Sequence, residues 1–367
     1  MIDRRSLVVA LGAAIATGVS GGARGAAPLY AGCRLDRGGR ASLALFDLEG
    51  RTLFSTDLPA RGHDVAVSPD GRRLVAFARR PGTWAAVIDA ATGTVERTIL
   101  AAPGRHFYGH GVFSPDGALL TATENAFDQG EGLLGLYDAR DGFRRIGEVP
   151  SRGVGPHDLA LIFGGDVLAV ANGGIRTHPE TGRDMLNLET MRPNLALLGR
   201  DGALRDAFEL PEAWRRASLR HIAVGRDGTI GFGCQYEGPA EDAPELVGVV
   251  TPAGRLELLP VPEDANLRFD NYIGSVAFDA SGEILAATSP RGGVTGFWDV
   301  PGRRFLGLSA LPDVCGVAPA PARAGLFVLT SGNAGVRLAL AGTATPGRLG
   351  GSDLDRWVWD NHMTRLG

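Results

Sequence analysis

The chain has 367 residues, of which 44% are hydrophobic, and its 37 lysines and arginines are nearly balanced by 41 aspartates and glutamates. This balance gives no electrostatic reason to expect nucleic acid or an anionic membrane as a partner. The 54 glycines and 22 prolines favour many short strands over long helices. Cys33, Cys234 and Cys315 form no CxxC pair, which argues against a thiolate zinc site.

The first residues have the layout of an export signal. Arg4 and Arg5 precede a mildly apolar run over residues 7–19, and small residues follow at 23–27. The arginine pair resembles a twin-arginine signal, and the alternative is a general secretory signal. We therefore expect residues 1–27 to be a signal peptide and the mature protein to be periplasmic. The apolar run is too short for a membrane span, so none is expected in the mature chain.

A short phrase recurs along the rest of the chain. Residues 63–71 read HDVAVSPDG, an alternating strand that ends in a tight turn. Related phrases occur at positions 110, 157, 221, 274 and 316. Counted from His63, these corresponding positions, which we call the lead positions, are 47, 47, 64, 53 and 42 residues apart. Repeats of this length are typical of β-propeller blades. Insertions lengthen two units, over about residues 173–193 and 235–244.

The first unit, residues 29–60, has three strand candidates but lacks the recurring phrase. Residues 356–366 (RWVWDNHMTRL) have strand propensity and place His362 near the phrase's lead position. We expect this C-terminal strand to be the inner strand of the first blade, which removes the open edge of the ring. The fold prediction is an all-β, seven-bladed propeller that occupies residues 28–367 as a single domain.

Five histidines lie at or beside the start of a predicted inner strand: His63, His110, His157, His221 and His362. Because inner strands line the channel of a propeller, these imidazoles and the long loops are expected to share one mouth. The polar loop residues then join the candidate site as further ligands or as groups that orient a ligand. They are His178, Glu124, Asn125, Asp270, Arg176, Arg183, Arg220, Gln235, Asn172 and Asn271.

The position of the histidines relative to the turn leaves an alternative open. His63 and His157 lie eight residues before the turn glycine, whereas His110 and His221 lie seven before it. A shift of one residue moves a strand side chain to the other face, so two separate histidine sets are possible. A histidine at this place could also simply bond the backbone of a neighbouring blade.

Three kinds of chemistry suit a channel mouth that is lined by these residues. Imidazoles beside Glu124 or Asp270 could hold a transition metal such as iron or copper. Arginines such as Arg176, Arg183, Arg220 and Arg268 could clamp a carboxylate or phosphate. A histidine paired with a carboxylate could act as a general base. No GxSxG elbow or P-loop is present, so covalent serine catalysis has little support.

Several runs of this chain resemble the DUF1513 family of exported bacterial proteins. They are GHGVFSPDG (109–117), GPHD (155–158), ANGGIRTHPETGR (171–183), LRH (219–221) and DNYIGS (270–275). The resemblance implies a seven-bladed propeller related to quinoprotein dehydrogenase and YVTN-type propellers. Members are often encoded near imelysin-like and di-haem peroxidase-like periplasmic proteins, which implies a link to iron acquisition. The resemblance supplies no catalytic residues.

Three functional hypotheses follow. The first is a periplasmic propeller that binds a metal ion or metal complex at the histidine-bearing mouth and assists iron-uptake proteins. The second is a metal-assisted hydrolase, lyase or oxidoreductase that uses the same face. The third is a scaffold for a protein partner, since a propeller fold does not fix a function.

Overall fold

The computed structural model describes residues 29–182, 184–321, 323–350 and 353–366. These residues form seven antiparallel sheets of four strands each. The signal peptide expected over residues 1–27 lies outside the described residues, as does Arg183. In the part of the chain that is described, no helix has the length and apolar character needed to cross a membrane.

The first four blades are formed by strands β1 to β15, and the first blade is completed by a strand from the C-terminus. The first blade contains β1 (Leu29–Leu35), β2 (Ala41–Asp47) and β3 (Thr52–Asp57). The second contains β4 (Gly62–Val67), β5 (Arg73–Ala78), β6 (Trp84–Asp89) and β7 (Val95–Leu100). The third contains β8 (Arg105–Phe113), β9 (Leu119–Ala126), β10 (Glu131–Asp138) and β11 (Arg144–Pro150). The fourth contains β12 (Pro156–Ile162), β13 (Val167–Asn172), β14 (Asn194–Gly199) and β15 (Leu204–Glu209).

The other three blades follow in chain order, and a last strand returns to the first blade. The fifth blade contains β16 (Ala217–Val224), β17 (Ile230–Tyr236), β18 (Val247–Val250) and β19 (Leu256–Leu258). The sixth contains β20 (Ser275–Phe278), β21 (Ile284–Ser289), β22 (Val294–Asp299) and β23 (Arg304–Ala310). The seventh contains β24 (Val314–Pro319), β25 (Leu326–Ser331), β26 (Gly335–Leu340) and β27 (Gly347–Arg348). The last strand is β28 (Val358–Leu366), and the one short α-helix of the described residues is α1 (Glu263–Leu267).

The C-terminal strand closes the ring. β28 pairs antiparallel with β1, from Leu29 opposite Leu366 to Leu35 opposite Val358. The first sheet therefore has the order β28-β1-β2-β3, with the C-terminal strand innermost. The predicted seven-bladed propeller, and its closure by residues 356–366, are both confirmed.

The repeated SPDG turn connects the inner strand of a blade to the second strand of the same blade. In the second blade the Ser68 hydroxyl donates to Asp70 Oδ1 (2.6 Å), and the Gly71 backbone N–H donates to the Ser68 carbonyl (2.8 Å). Gly71 has φ +69°, a conformation that glycine adopts without steric cost. The phrase SPDG thus sets the length and direction of the turn, and the alternating residues before it form the inner strand.

Burial decreases from the middle to the outside of each blade. All seven residues of β2 are buried because the strand is covered by the neighbouring blade on both sides. In the outer strand β7, only Ile99 is buried. The cores between blades contain large side chains such as Phe77, Phe107 and Trp298, and all three cysteines are buried and unpaired.

The closing strand supports a stability prediction. Trp359 is fully buried and packs against Phe46, with the ring centroids 5.2 Å apart. We expect Trp359→Ala to lower the free energy of unfolding by about 3–5 kcal/mol, because a large side chain is lost from a packed core. Urea unfolding of the two proteins measures this difference. The matched control is Trp357→Ala, since Trp357 is only half-buried; an equal loss in both variants would contradict this account of the closure.

Candidate functional site

The five inner-strand histidines converge inside the channel. They come from β4 (His63), β8 (His110), β12 (His157), β16 (His221) and β28 (His362). Ring centroids of His362 lie 4.6 Å from His63, 4.7 Å from His110 and 4.7 Å from His221. His157 lies 4.8 Å from His221 and 5.1 Å from His110. All five side chains are buried, and we call this set the histidine cluster.

Irregular pairing of the inner strands explains why the one-residue offset does not divide the histidines into two sets. The register shifts between Gly62 and Val65 in β4, between Phe107 and Gly111 in β8, and between Pro156 and Asp158 in β12. The register also shifts beside His221 in β16 and opposite the β28 segment that contains His362. Such bulges locally re-aim side chains, so each histidine can face the channel.

One of these bulges depends on a glycine. Gly109 in β8 has φ +110°, and a Cβ at this position would lie 2.5 Å from Cδ2 of His63. A larger residue would therefore be strained and would collide with the neighbouring imidazole. The glycine lets His63 and His110 approach with ring centroids 5.0 Å apart.

Several ring nitrogens of the cluster have no hydrogen-bond partner within the described residues. They are Nε2 of His110 and His362, Nδ1 of His63 and His157, and both ring nitrogens of His221. An unpaired buried polar atom costs about 1–3 kcal/mol. If the imidazoles served only for packing, each unpaired nitrogen would destabilise the fold without any compensating interaction.

Three aspartates surround the cluster. Nδ1 of His110 lies 3.1 Å from Asp64 and 3.3 Å from Asp158. Nδ1 of His63 lies 3.6 Å from Asp360, which also accepts from Arg79 at 2.8 Å and pairs with Arg61. The arginine pairs neutralise Asp360, whereas Asp64 and Asp158 direct their charge at His110.

The protonation states follow from burial and from these carboxylates. Burial lowers the pKa of His63 to about 4, although Asp360 opposes the shift. Burial, reinforced by neighbouring imidazoles, also lowers the pKa of His157, His221 and His362 well below the usual range. Burial lowers the pKa of His110 too, but Asp158 and Asp64 outweigh it, so its pKa is raised. Four of the five imidazoles are therefore neutral at pH 7, the form that binds metals.

Two sets of three histidines are arranged closely enough to share a metal ion. The first set is His63, His110 and His362, and the second is His110, His157 and His221. Within each set, one ring nitrogen per residue lies within 4.8 Å of the others. His110 belongs to both sets and is therefore central to the cluster.

The two blades without a lead histidine accommodate the cluster. In β20, the Ser275 hydroxyl lies 3.3 Å from Nδ1 of His362. In β24, a Cβ on Gly316 would lie 2.9 Å from the His362 carbonyl carbon, so only glycine permits this approach of β28. These blades thus position His362 rather than extend the ring of imidazoles.

Other residues that the sequence suggested for the mouth form structural contacts instead. Glu124 is fully buried on β9, where it accepts from Tyr137 at 2.5 Å and from Arg145 at 2.8 Å. His178 accepts from the Glu180 N–H at 3.2 Å and lies 3.3 Å from Asp128. The structure does not bring Glu124 or His178 into either set of close ring nitrogens.

The remaining loop candidates also stabilise the chain locally. Arg176 is exposed and donates to the Asp128 carbonyl (3.2 Å), and Asn172 donates to Ser151 O and Asn194 Oδ1. Asp270 and Asn271 have φ +49° and +53°, so they form a turn before Tyr272. Of the loop and arginine candidates in the described chain, Arg220 and Gln235 line the cavity above the cluster.

The sequence reasoning did not identify the three aspartates, although a signal was present. Asp64 and Asp158 directly follow His63 and His157, and Asp360 precedes His362 by two residues. Alternation along a regular strand would send a histidine and the next residue to opposite faces. Because the strands bulge here, both can lie near the channel, and a repeated His-Asp pair was the available clue.

The unpaired nitrogens support a prediction about stability. His221→Leu is expected to raise the free energy of unfolding of metal-free protein by about 1 kcal/mol, because two unpaired buried nitrogens are removed. Urea unfolding with a chelator present measures the change. The matched control is His106→Leu, which should be destabilising because His106 bonds Phe107 O (3.0 Å) and Asn125 (2.9 Å). Equal destabilisation in both variants would mean that His221 is a structural residue.

Comparison with solved structures supports the fold. Kuenenia stuttgartiensis hydrazine synthase aligns with a TM-score of 0.62 at 14% identity, over 88% of this chain and 98% of that chain. The Myceliophteria thermophila Cps50 (Swd1) β-propeller domain aligns with a TM-score of 0.58 at 13% identity, over 82% and 92% of the two chains. At these identities the likeness concerns the fold alone.

Sequence comparison supplies the family. None of the curated proteins matches this sequence. Residues 56–366, from the end of the first blade to the closing strand, match the family described as "Protein of unknown function (DUF1513)". The match includes all five histidines of the cluster and the three aspartates around it. The chain belongs to the DUF1513 family.

Proposed function

We propose that this protein binds a transition-metal ion, iron or copper, or a complex of such a metal, at the histidine cluster. The observation that carries the proposal is the convergence of buried ring nitrogens that lack other partners. Imidazole is a common ligand for both metals. The proposed setting is the periplasm, with residues 1–27 as a twin-arginine signal and a role beside iron-uptake proteins.

The spacing of the nitrogens suits a metal after a small adjustment. Bonds between a metal and imidazole nitrogens are about 2.0–2.1 Å long, so two ligands on opposite sides of an ion are at most about 4.2 Å apart. The nitrogens of each histidine set lie within 4.8 Å of one another. Binding of one ion by all three nitrogens of a set therefore requires the imidazoles to move slightly closer together.

Hydrogen bonds on the far side of the rings favour this role. His110 has its Nδ1 beside Asp64 and Asp158 and its Nε2 unpaired, and His362 has its Nδ1 beside Ser275 and its Nε2 unpaired. Metal-binding histidines commonly donate the second ring N–H to a carboxylate or another acceptor, which fixes the ring and strengthens the ligand.

Access to the cluster comes from one end of the channel. His63 and His157 line a cavity of about 450 Å³, which also reaches Arg220 and Tyr272. Cavities of about 300–1,000 Å³ hold small ligands in proteins. Each set of three histidines therefore has one member that lines this cavity.

A second candidate function rests on His110. This imidazole lies between two carboxylates, and its pKa is raised whereas those of its neighbours are lowered. Such a group can transfer a proton beside a bound metal. The alternative is a metal-assisted hydrolase, lyase or oxidoreductase, and any turnover of lactones, esters or reducible metal complexes should then be lost in His157→Ala.

The metal proposal predicts binding that depends on His110. Wild-type protein treated with a chelator should bind added Fe²⁺ or Cu²⁺ in calorimetric titration, and the metal should raise the melting temperature. Loss of a residue that only hydrogen-bonds a metal ligand typically lowers metal affinity by about 10–100-fold. We expect His110→Ala to lower the affinity by more than this, because His110 belongs to both sets of histidines.

The matched control for this experiment is His178→Ala. His178 is only half-buried and lies outside both sets, so its replacement should leave metal affinity unchanged. Failure of the wild-type protein to bind iron or copper, or equal affinity of the His110→Ala and wild-type proteins, would overturn the proposal.

The aspartates beside His110 allow a further test of the proposed metal site. Asp64→Asn keeps an oxygen near His110 but removes the charge that strengthens this ligand, so affinity should fall by about tenfold with unchanged stoichiometry. The control is Asp116→Asn, which changes an exposed turn aspartate at the SPDG turn of the third blade. The same titration measures both, and an unchanged affinity in Asp64→Asn would show that this carboxylate does not tune the site.

A further inference from the structure

The cavity above the histidine cluster has a strongly cationic lining. Five arginines but only two acidic residues contribute to it, and His63 and His157 of the cluster also line it. The basic residues are Arg61, Arg79, Arg80, Arg220 and Arg291, and the acidic residues are Glu237 and Asp313. We call this cavity the arginine vestibule.

Two of the five arginines share a single carboxylate of the protein, so their charge is only partly compensated. Arg61 and Arg79 both pair with Asp360, the carboxylate next to His63. Arg220 is buried and donates from Nε to the Ser218 hydroxyl at 2.8 Å. Its nearest carboxylate oxygen, on Glu237, is 3.9 Å away, so the guanidinium of Arg220 has no close ion pair.

Arg80 and Arg291 have no carboxylate within 4.0 Å in the described parts of the chain. Arg80 is half-buried near Arg79 and Arg220, and burial, with the Arg220 charge next in size, lowers its pKa to about 10. Arg291 is exposed and lies over the Tyr272 ring at 4.5 Å. Cations crowded in a partly buried cavity are unfavourable unless an anion compensates them.

Tyr108 is an independent sign of a ligand. Its side chain is 2% exposed and lines the vestibule, and its hydroxyl, which lies near the Thr177 hydroxyl, forms no hydrogen bond of normal geometry among the described residues. Buried tyrosine hydroxyls usually find a partner. The guanidinium of Arg80 lies 5.9 Å from the Tyr108 ring. An oxyanion accepts hydrogen bonds, and the Tyr108 hydroxyl and Arg80 can both donate them.

We propose that the arginine vestibule binds a small multivalent oxyanion, a carboxylate or a phosphate, through Arg80, Arg220, Arg291 and the Tyr108 hydroxyl. Guanidinium groups recognise both kinds of anion by paired N–H donors. The vestibule volume of about 450 Å³ accommodates a molecule of the size of citrate. This anion site extends the proposed function but does not depend on it, because none of its four groups is a histidine of the cluster.

The test is calorimetric titration of chelator-treated protein with citrate and, separately, with inorganic phosphate, at low and high salt. We expect at least one of them to bind, and the affinity to fall at least tenfold in Arg80→Gln. The citrate and phosphate arms distinguish a carboxylate ligand from a phosphate ligand. Higher salt should weaken binding because the contacts are ionic.

Two further variants keep the proposal testable if Arg80→Gln disturbs folding. Arg291→Gln changes an exposed side chain, and Tyr108→Phe removes only the unpaired hydroxyl; each should weaken anion binding severalfold. The control Arg97→Gln, which removes an exposed charge from the outer strand β7, should bind like the wild type. Absence of binding of both anions to the wild type, or binding unchanged in all three vestibule variants, would overturn the proposal.

Metal titration of the same proteins separates this result from the metal proposal. If Fe²⁺ or Cu²⁺ binds but neither anion does, the vestibule proposal fails and the metal proposal stands. If an anion binds with the expected arginine dependence but neither metal does, the vestibule proposal stands and the metal proposal fails.

Discussion

The pairing of the two ends of the chain is the constraint on which the candidate site depends. β28 lies between β1 and the channel, and it carries His362 into the cluster. Without this strand the first blade would lack its inner edge, and His63 would lose the imidazole whose ring centroid is nearest, at 4.6 Å. Closure of the ring and completion of the histidine cluster are therefore one structural event.

The site also shows how a regular fold tolerates a locally unfavourable arrangement. Seven repeated sheets bury large interblade cores, and the stability of these cores allows the fold to tolerate the unpaired ring nitrogens. The cost is concentrated where the inner strands depart from regular pairing, at or beside the histidines. Strain and unsatisfied groups of this kind typically accumulate at functional sites.

The sequence was sufficient for the architecture because a repeat constrains it many times over. The SPDG turns and the alternating strands predicted the blades, and the missing inner strand of the first unit predicted closure. The loop residues were harder, because the direction of a loop side chain depends on local turns. Asp270 lies in a left-handed turn, which the repeat does not encode. Glu124 is a strand residue, and its carboxylate accepts from Tyr137 on the neighbouring strand β10 instead of facing the channel mouth.

The charges of the site constrain what could reach it. Arg80, Arg220 and Arg291 would repel a free metal cation at the entrance, whereas the neutral imidazoles below attract it only at short range. An anion bound in the vestibule as proposed would lower this barrier and would offer oxygen ligands to a metal held by the histidines. The two proposals thus favour a metal that arrives as an anionic carboxylate or phosphate complex, with the anion held by arginines and the metal by histidines.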